Sequence, residues 1–401
     1  MTEPISPTMM PPASFAASED QLHAAAAALL DGWDDFGADD YRRGLEVLLH
    51  SMDYDPRWSK EGRARGWAGL VGVLAARGHA IRAMAQNPGF DAVPIRAPIV
   101  ITGIPRTGTT ALHKLLALDP QFQGLQTWLT SAPQPRPPRE TWEANRQFRK
   151  TVAEMERRHT DKPAALAAHA MTAEEVDECC LVLRQGFVSN LWTCGWSAAS
   201  YDLWRQEQSE AHCYAHLDRV LQLIGSPEPD QRWLLKNPGH VENLDALFAA
   251  FPDAMVVQTH RDPTKAIPSL CALLIGNHAL FEQGRVAERS WQMGLRESEK
   301  WARALRRAEP VRQARQGQVL DVVHADFHRD PMATIERIYA FAGLTLSHDV
   351  RAAMVSRIAA KPELAHGAHR YDLDTFGLTA EAVRERFGDY VSRFDLLEKR
   401  A

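Results

Sequence analysis

Residues 98–110, Pro-Ile-Val-Ile-Thr-Gly-Ile-Pro-Arg-Thr-Gly-Thr-Thr, constrain the fold of this chain more than any other stretch. A short β-branched run enters a loop bracketed by Gly103 and Gly108. Leu112, Leu115 and Leu116 then recur at helical spacing until Asp119-Pro120 ends the pattern. Strand, glycine loop and helix in that order read as a phosphate cradle in an α/β protein with a parallel sheet. The glycines are five positions apart, as in nucleotide triphosphatases, but Thr109 and then Thr110 follow Gly108 where a lysine would be required. Backbone N–H groups and the helix dipole bind any such anion, whereas the missing lysine is what selects a triphosphate. The cation of this loop is Arg106, whose planar fork suits bidentate contact with phosphate or sulfate oxygens.

Two further clusters have the same form, an apolar run ending in polar and turn-forming residues. Val256-Val-Gln-Thr-His260 leads into Arg261-Asp262-Pro263, and Ser269 lies eight positions beyond Arg261, a spacing that lets guanidinium and hydroxyl face one anion. Arg232-Trp-Leu-Leu-Lys236-Asn-Pro-Gly-His240 puts a lysine and a histidine at a strand end, where α/β proteins collect their chemistry. A carboxylate-rich segment, Glu174, Glu175, Asp177 and Glu178, precedes or opens a helix, with Glu175 and Glu178 sharing a face.

Thr102-Gly-Ile-Pro-Arg-Thr-Gly-Thr-Thr110, with Leu112-His113 and Asp119-Pro120, resembles the bacterial branch of the sulfotransferases that use 3′-phosphoadenosine-5′-phosphosulfate (PAPS) and release 3′-phosphoadenosine-5′-phosphate (PAP). The resemblance implies that Arg106, Thr107, Gly108, Thr109 and Thr110 grip the 5′-phosphosulfate, with Arg106 where many relatives carry lysine. It implies that Arg261 and Ser269 take the 3′-phosphate. Arg370, in a basic loop near the end of the chain, is a further candidate contact there, although the loop lacks the Arg-Lys-Gly triplet of the animal enzymes. In-line sulfuryl transfer needs a base for the acceptor proton and cations at the leaving oxygen. His240 is assigned as base and Lys236, with Arg106, as cations; Glu175 and Glu178 are the alternative bases. Lys236 and His240 lie further apart than in the cytosolic animal enzymes. No metal is expected, because an SO₃-like group needs less charge neutralisation than a phosphoryl group.

The expected fold is a P-loop-like central parallel sheet flanked by helices, with an N-terminal helical extension and a helical acceptor-pocket insertion. Residues 1–17 read as a flexible N-terminus, 18–94 as a helical layer, and 95–401 as the α/β domain, within which a mostly helical stretch, 125–226, supplies the acceptor pocket. Trp128, Trp142, Phe187, Trp192, Trp196, Tyr201 and Trp204 crowd that stretch and suit an apolar or aromatic acceptor bearing a hydroxyl or amine. A strand is expected over Val319–Asp326, then a helix from Asp330-Pro331 to Gly343.

With 401 residues and 45% hydrophobic content the chain can bury a large core. A net charge of −5 argues against a nucleic-acid partner. Five cysteines without metal-type spacing read as reduced, and no leader or membrane span is evident, so a cytoplasmic enzyme acting on a small molecule is expected. Two other functions use the same residues. A nucleotide-dependent kinase with a degenerate loop would require Mg²⁺ and ATP; a scaffold that kept the cradle would bind donor without turnover.

Overall fold

A computed structural model describes residues 10–161, 172–360 and 372–397. Three helices come first: α1 (Glu19–Leu29), α2 (Arg42–Tyr54) and α3 (Lys60–Gln86). Leu45, Leu48, Leu49 and Met52 recur on one face of α2 and are buried with Leu22 of α1 and Trp67, Leu70 and Leu74 of α3. Ser59 caps α3 by accepting from the Gly62 N–H. At Gly62 the helix meets the backbone of Phe281 so closely that a Cβ would collide with it, which ties this layer to the rest of the molecule. Asp53 holds the preceding chain, accepting from the N–H groups of Phe15 and Ala16 and from the Ser14 hydroxyl.

Five strands, β1 (Ile99–Gly103), β2 (Phe122–Gln123), β3 (Arg232–Lys236), β4 (Met255–His260) and β5 (Val319–Val323), form one parallel sheet in the order β2-β3-β1-β4-β5. Every residue of β1 is buried, as befits a strand covered on both faces, and the Ile-Val-Ile-Thr run supplies the side chains that fit there. In register, Ile101 pairs with Lys236 on one side and Gly103 with Thr259 on the other. The loops after β1, β3 and β4 therefore leave the sheet side by side at its carboxyl edge.

Two elements differ from expectation. β2 is a two-residue edge strand, too short to leave a periodic pattern. β5 ends at Val323, and His324–Arg329 are helical rather than a continuation of the strand. Its partner β4 stops at His260, opposite Val323, so later residues have no ladder to join and satisfy their backbone groups within a helix. The helix Pro331–Ala342 follows as expected, capped by Asp330 and stopped by Gly343 at positive φ.

Between β2 and β3 the aromatic side chains are structural. Trp128 packs edge to face with both Trp142 and Phe148, and Phe187 stacks on Trp192 at 5.5 Å against the N-terminal helices. Trp196 and Tyr201 are buried in the same cluster, with half-buried Trp204 against both. These rings are taken up in holding helices together rather than exposed to a ligand.

Candidate functional site

The cradle is assembled by backbone conformations that the sequence permits at few places. Gly103 has φ 138° and packs so tightly on β4 that a Cβ would run into the Thr259 carbonyl. Arg106 (φ 67°) and Gly108 (φ 88°) are both left-handed, and Gly108 is the N-cap of the helix α4 (Thr109–Leu116). Gly108 has no side chain with which to cap, so the first-turn N–H groups of α4 point out of the loop as donors for an anion. Thr107 is buried, its hydroxyl donating to the Ile104 carbonyl and lying 2.5 Å from the Thr259 hydroxyl. With Thr109 also buried, these two residues present backbone rather than side chain to a ligand.

Arg106, Arg261 and Ser269 meet at the rim of this loop. Arg106 Nε donates to Ser269 Oγ at 3.2 Å, and Arg261 Nη1 donates to the Arg106 carbonyl at 2.9 Å. Arg261 leaves β4 directly after His260, which lies between Asp321 (2.8 Å) and the Tyr390 hydroxyl (3.1 Å) and stacks on Phe394. His324, which no motif had singled out, lies against Gly108 and 4.2 Å in ring separation from His328. Burial and the Arg261 charge push its pKa down to about 3. Arg370 lies outside the described residues.

Lys236 ends β3 with its ammonium almost wholly buried. It is ion-paired to Glu178 and donates to Thr110 Oγ1 at 3.0 Å. The Glu178 segment is fastened to the sheet by backbone bonds, Cys179 N–H to the Lys236 carbonyl and Asp177 N–H to the Leu125 carbonyl. Glu178 is thus a partner of the buried lysine and not a solvated helix cap. Glu175 lies elsewhere. It accepts from Lys114 at 2.9 Å and reaches Arg357 at 3.4 Å; burial would raise its pKa, but these cations hold it below the usual carboxylate range.

His240 sits in the 3₁₀ turn Pro238–Asn243, pinned to β1 where Thr102 Oγ1 donates to the carbonyls of Asn237 and Pro238. The ring is fully buried. Its Nδ1 lies 2.7 Å from the Tyr214 hydroxyl, and its Nε2 has no hydrogen-bond partner among the described residues. Burial, reinforced by Lys236 and opposed by Glu178, pushes its pKa down to about 3, so the imidazole is neutral at physiological pH. His113 on α4 is a second buried, neutral imidazole near Lys236, depressed to about 3 by burial first.

A left-handed cradle with an arginine rim, beside a buried lysine and a neutral histidine, matches a known pattern. A profile of the Sulfotransferase family covers residues 98–348, more than half of the chain. The chain belongs to the sulfotransferase family. The solved sulfotransferase STF1 from Mycobacterium tuberculosis H37Rv superposes with a TM-score of 0.83 at 39% identity, over 93% of this chain and 99% of that one. The sulfotransferase STF9 from Mycobacterium avium superposes with a TM-score of 0.84 at 26% identity, over 94% of this chain and 97% of that one. Among curated protein sequences no match was found.

The sulfotransferase fold thus brings Arg106, Arg261 and Ser269 to one end of the loop and Lys236, Thr110, Glu178 and His240 to the other, and leaves Glu175 apart. Among the described residues no group of three or more His, Cys, Asp or Glu side chains could hold a metal ion, and no helix is long and apolar enough to cross a membrane.

Proposed function

We propose that this sulfotransferase moves a sulfuryl group from PAPS to a hydroxyl or amine of a small apolar or aromatic acceptor. The observation that carries this reading is the meeting of Arg106, Arg261 and Ser269 at the rim of a cradle whose other flank holds Lys236 and His240. These residues fit the donor. The open N–H groups of α4 and Arg106 suit a 5′-phosphosulfate, and Arg261 with Ser269 suits a 3′-phosphate. When bound, the donor supplies the activated sulfuryl group.

The chain's own residues then do three things. The cradle holds the sulfur in line with the acceptor atom. Lys236 neutralises the charge that grows on the bridging oxygen as the S–O bond to phosphate breaks, with Arg106 at the same end. His240 takes the acceptor's proton on Nε2 as the new bond to sulfur forms, and PAP leaves. The acceptor side we assign to the mostly helical stretch 125–226, which brings Glu178 to Lys236 and Tyr214 to His240. All five cysteines are free, in keeping with our assignment to the cytoplasm.

Isothermal titration of the purified protein with PAP and, separately, with ATP·Mg²⁺ tests the donor. Micromolar-range PAP binding, on the order of −8 kcal/mol, is expected, weakened about 10- to 100-fold in Arg261→Ala by the loss of a charge-assisted contact. Binding of ATP·Mg²⁺ alone would put the kinase reading in its place.

A second base is favoured by a specific observation: Glu178 retains 21% side-chain exposure beside Lys236, whereas His240 has none. His240→Gln is expected to bind PAP and lose turnover; full activity would transfer the role to Glu178. The pH dependence follows from the depressed imidazole. A group with pKa about 3 is already in its basic form at neutral pH. Hence kcat/KM is expected to stay level as pH falls from about 7.5 to 5.5, with no inflection near the ordinary histidine value of about 6.5.

A further inference from the structure

We propose that Tyr214 is the positioning residue for His240, its phenol oxygen accepting from Nδ1–H so that Nε2 keeps its lone pair for the acceptor's proton. The inference rests on the reading of His240 as the base. Tyr214 lies on the helix Ala211–Gly225, buried, with its ring centroid 5.6 Å from the imidazole and its hydroxyl 2.7 Å from Nδ1.

The direction of that hydrogen bond follows from the role of the ring. Nε2 has no partner among the described residues and is the nitrogen left for the acceptor. To act as a base it must be bare, which puts the proton of the neutral ring on Nδ1, and the oxygen within reach of Nδ1 is the phenol of Tyr214. Which nitrogen is bare is fixed by the hydrogen bond the other makes. When Nε2 accepts a proton, Nδ1 remains a donor and the same contact stabilises the cation. Burial holds the phenol well above its ordinary pKa, so it acts as a neutral dipole and leaves the imidazole's charge state free to change.

The phenol and the ring are also held in fixed relation. Arg205, almost wholly buried, bonds Glu210 Oε1 at 3.2 Å at the entry to the Tyr214 helix and Glu242 Oε2 at 3.0 Å in the turn that carries His240. One guanidinium thus clamps the two elements that present the pair.

Nitrogen NMR of ¹⁵N-histidine-labelled full-length protein reads the tautomer directly, with His240→Gln used to assign the signal. In the wild type, Nε2 is expected at a pyridine-type shift and Nδ1 at a pyrrole-type shift. In Tyr214→Phe the Nε2–H form is expected to gain population. On a phenol that the wild type sulfates, kcat is expected to fall roughly tenfold with KM and PAP affinity unchanged. A wild-type ring protonated on Nε2, or a tautomer unaltered in Tyr214→Phe, overturns the proposal. Should Tyr214→Phe not fold, the wild-type spectrum alone still decides. The two readings fail separately: if Tyr214→Phe moves the tautomer while His240→Gln keeps full turnover, the contact stands and His240 is not the base.

Discussion

Replacing Lys236 with methionine is expected to lower turnover about 10²- to 10³-fold while PAP affinity changes by no more than about twofold, because a preorganised donor at a developing charge acts chiefly in the transition state. Methionine keeps the length and apolar stem of the lysine and removes only the ammonium. The contrast between turnover and affinity is informative, since Lys236 meets the cradle at Thr110 in the first turn of α4, whereas Arg106, Arg261 and Ser269 meet at its rim. A parallel fall in PAP affinity would mean that the lysine grips donor in the ground state. An unchanged turnover would leave Arg106 as the cation at the leaving oxygen. The variant also frees Glu178 from its buried partner, so the thermal midpoint should be recorded alongside the rate.

Arg205→Met is expected to cost about 3–5 kcal/mol of stability, read as a lower urea midpoint, because removing one member of a buried ionic network strands the others. Arg205, Arg296 and Lys300 face Asp202, Glu210, Glu242 and Glu297, three cations against four carboxylates. Burial first, and then the neighbouring Glu242, push Glu210 up to about 7 even with Arg205 beside it. Losing Arg205 removes the charge that opposes this rise and leaves Glu210 and Glu242 with no guanidinium between them. A loss below about 1 kcal/mol would mean that solvent or a proton compensates the network.

The parts of the site that were legible in the sequence are those written in consecutive residues. Gly103, Arg106 and Gly108 carry positive φ within six positions, and a β-branched run and a leucine-spaced helix flank them, so local propensity and observed structure agree. Lys236, His240 and Arg261 follow strands short and apolar enough to recognise. Contacts that span the chain were not legible. The Lys236–Glu178 pair joins residues 58 apart, and the Tyr214–His240 contact crosses from a helix to a turn; periodicity records neither. The carboxylates show the limit well. Glu175 and Glu178 look equivalent three positions apart, yet one goes to Lys236 and the other to Lys114 and Arg357, because the short helix begins only at Cys180 and they share no helical face. β5 was read too long because nothing in Val319–Asp326 says where its neighbour stops. The tryptophans suggested a pocket by their number, and number alone does not separate a ring that lines a cavity from one that fills a core.

The cradle is bolted to its neighbours before any ligand arrives: Gly103 lies flush on β4, Thr107 is buried against Thr259, and Arg261 holds the Arg106 carbonyl. Its left-handed residues are therefore ordered when the chain folds and not when donor binds. Association of the proposed nucleotide donor should accordingly carry little conformational-entropy penalty at this loop.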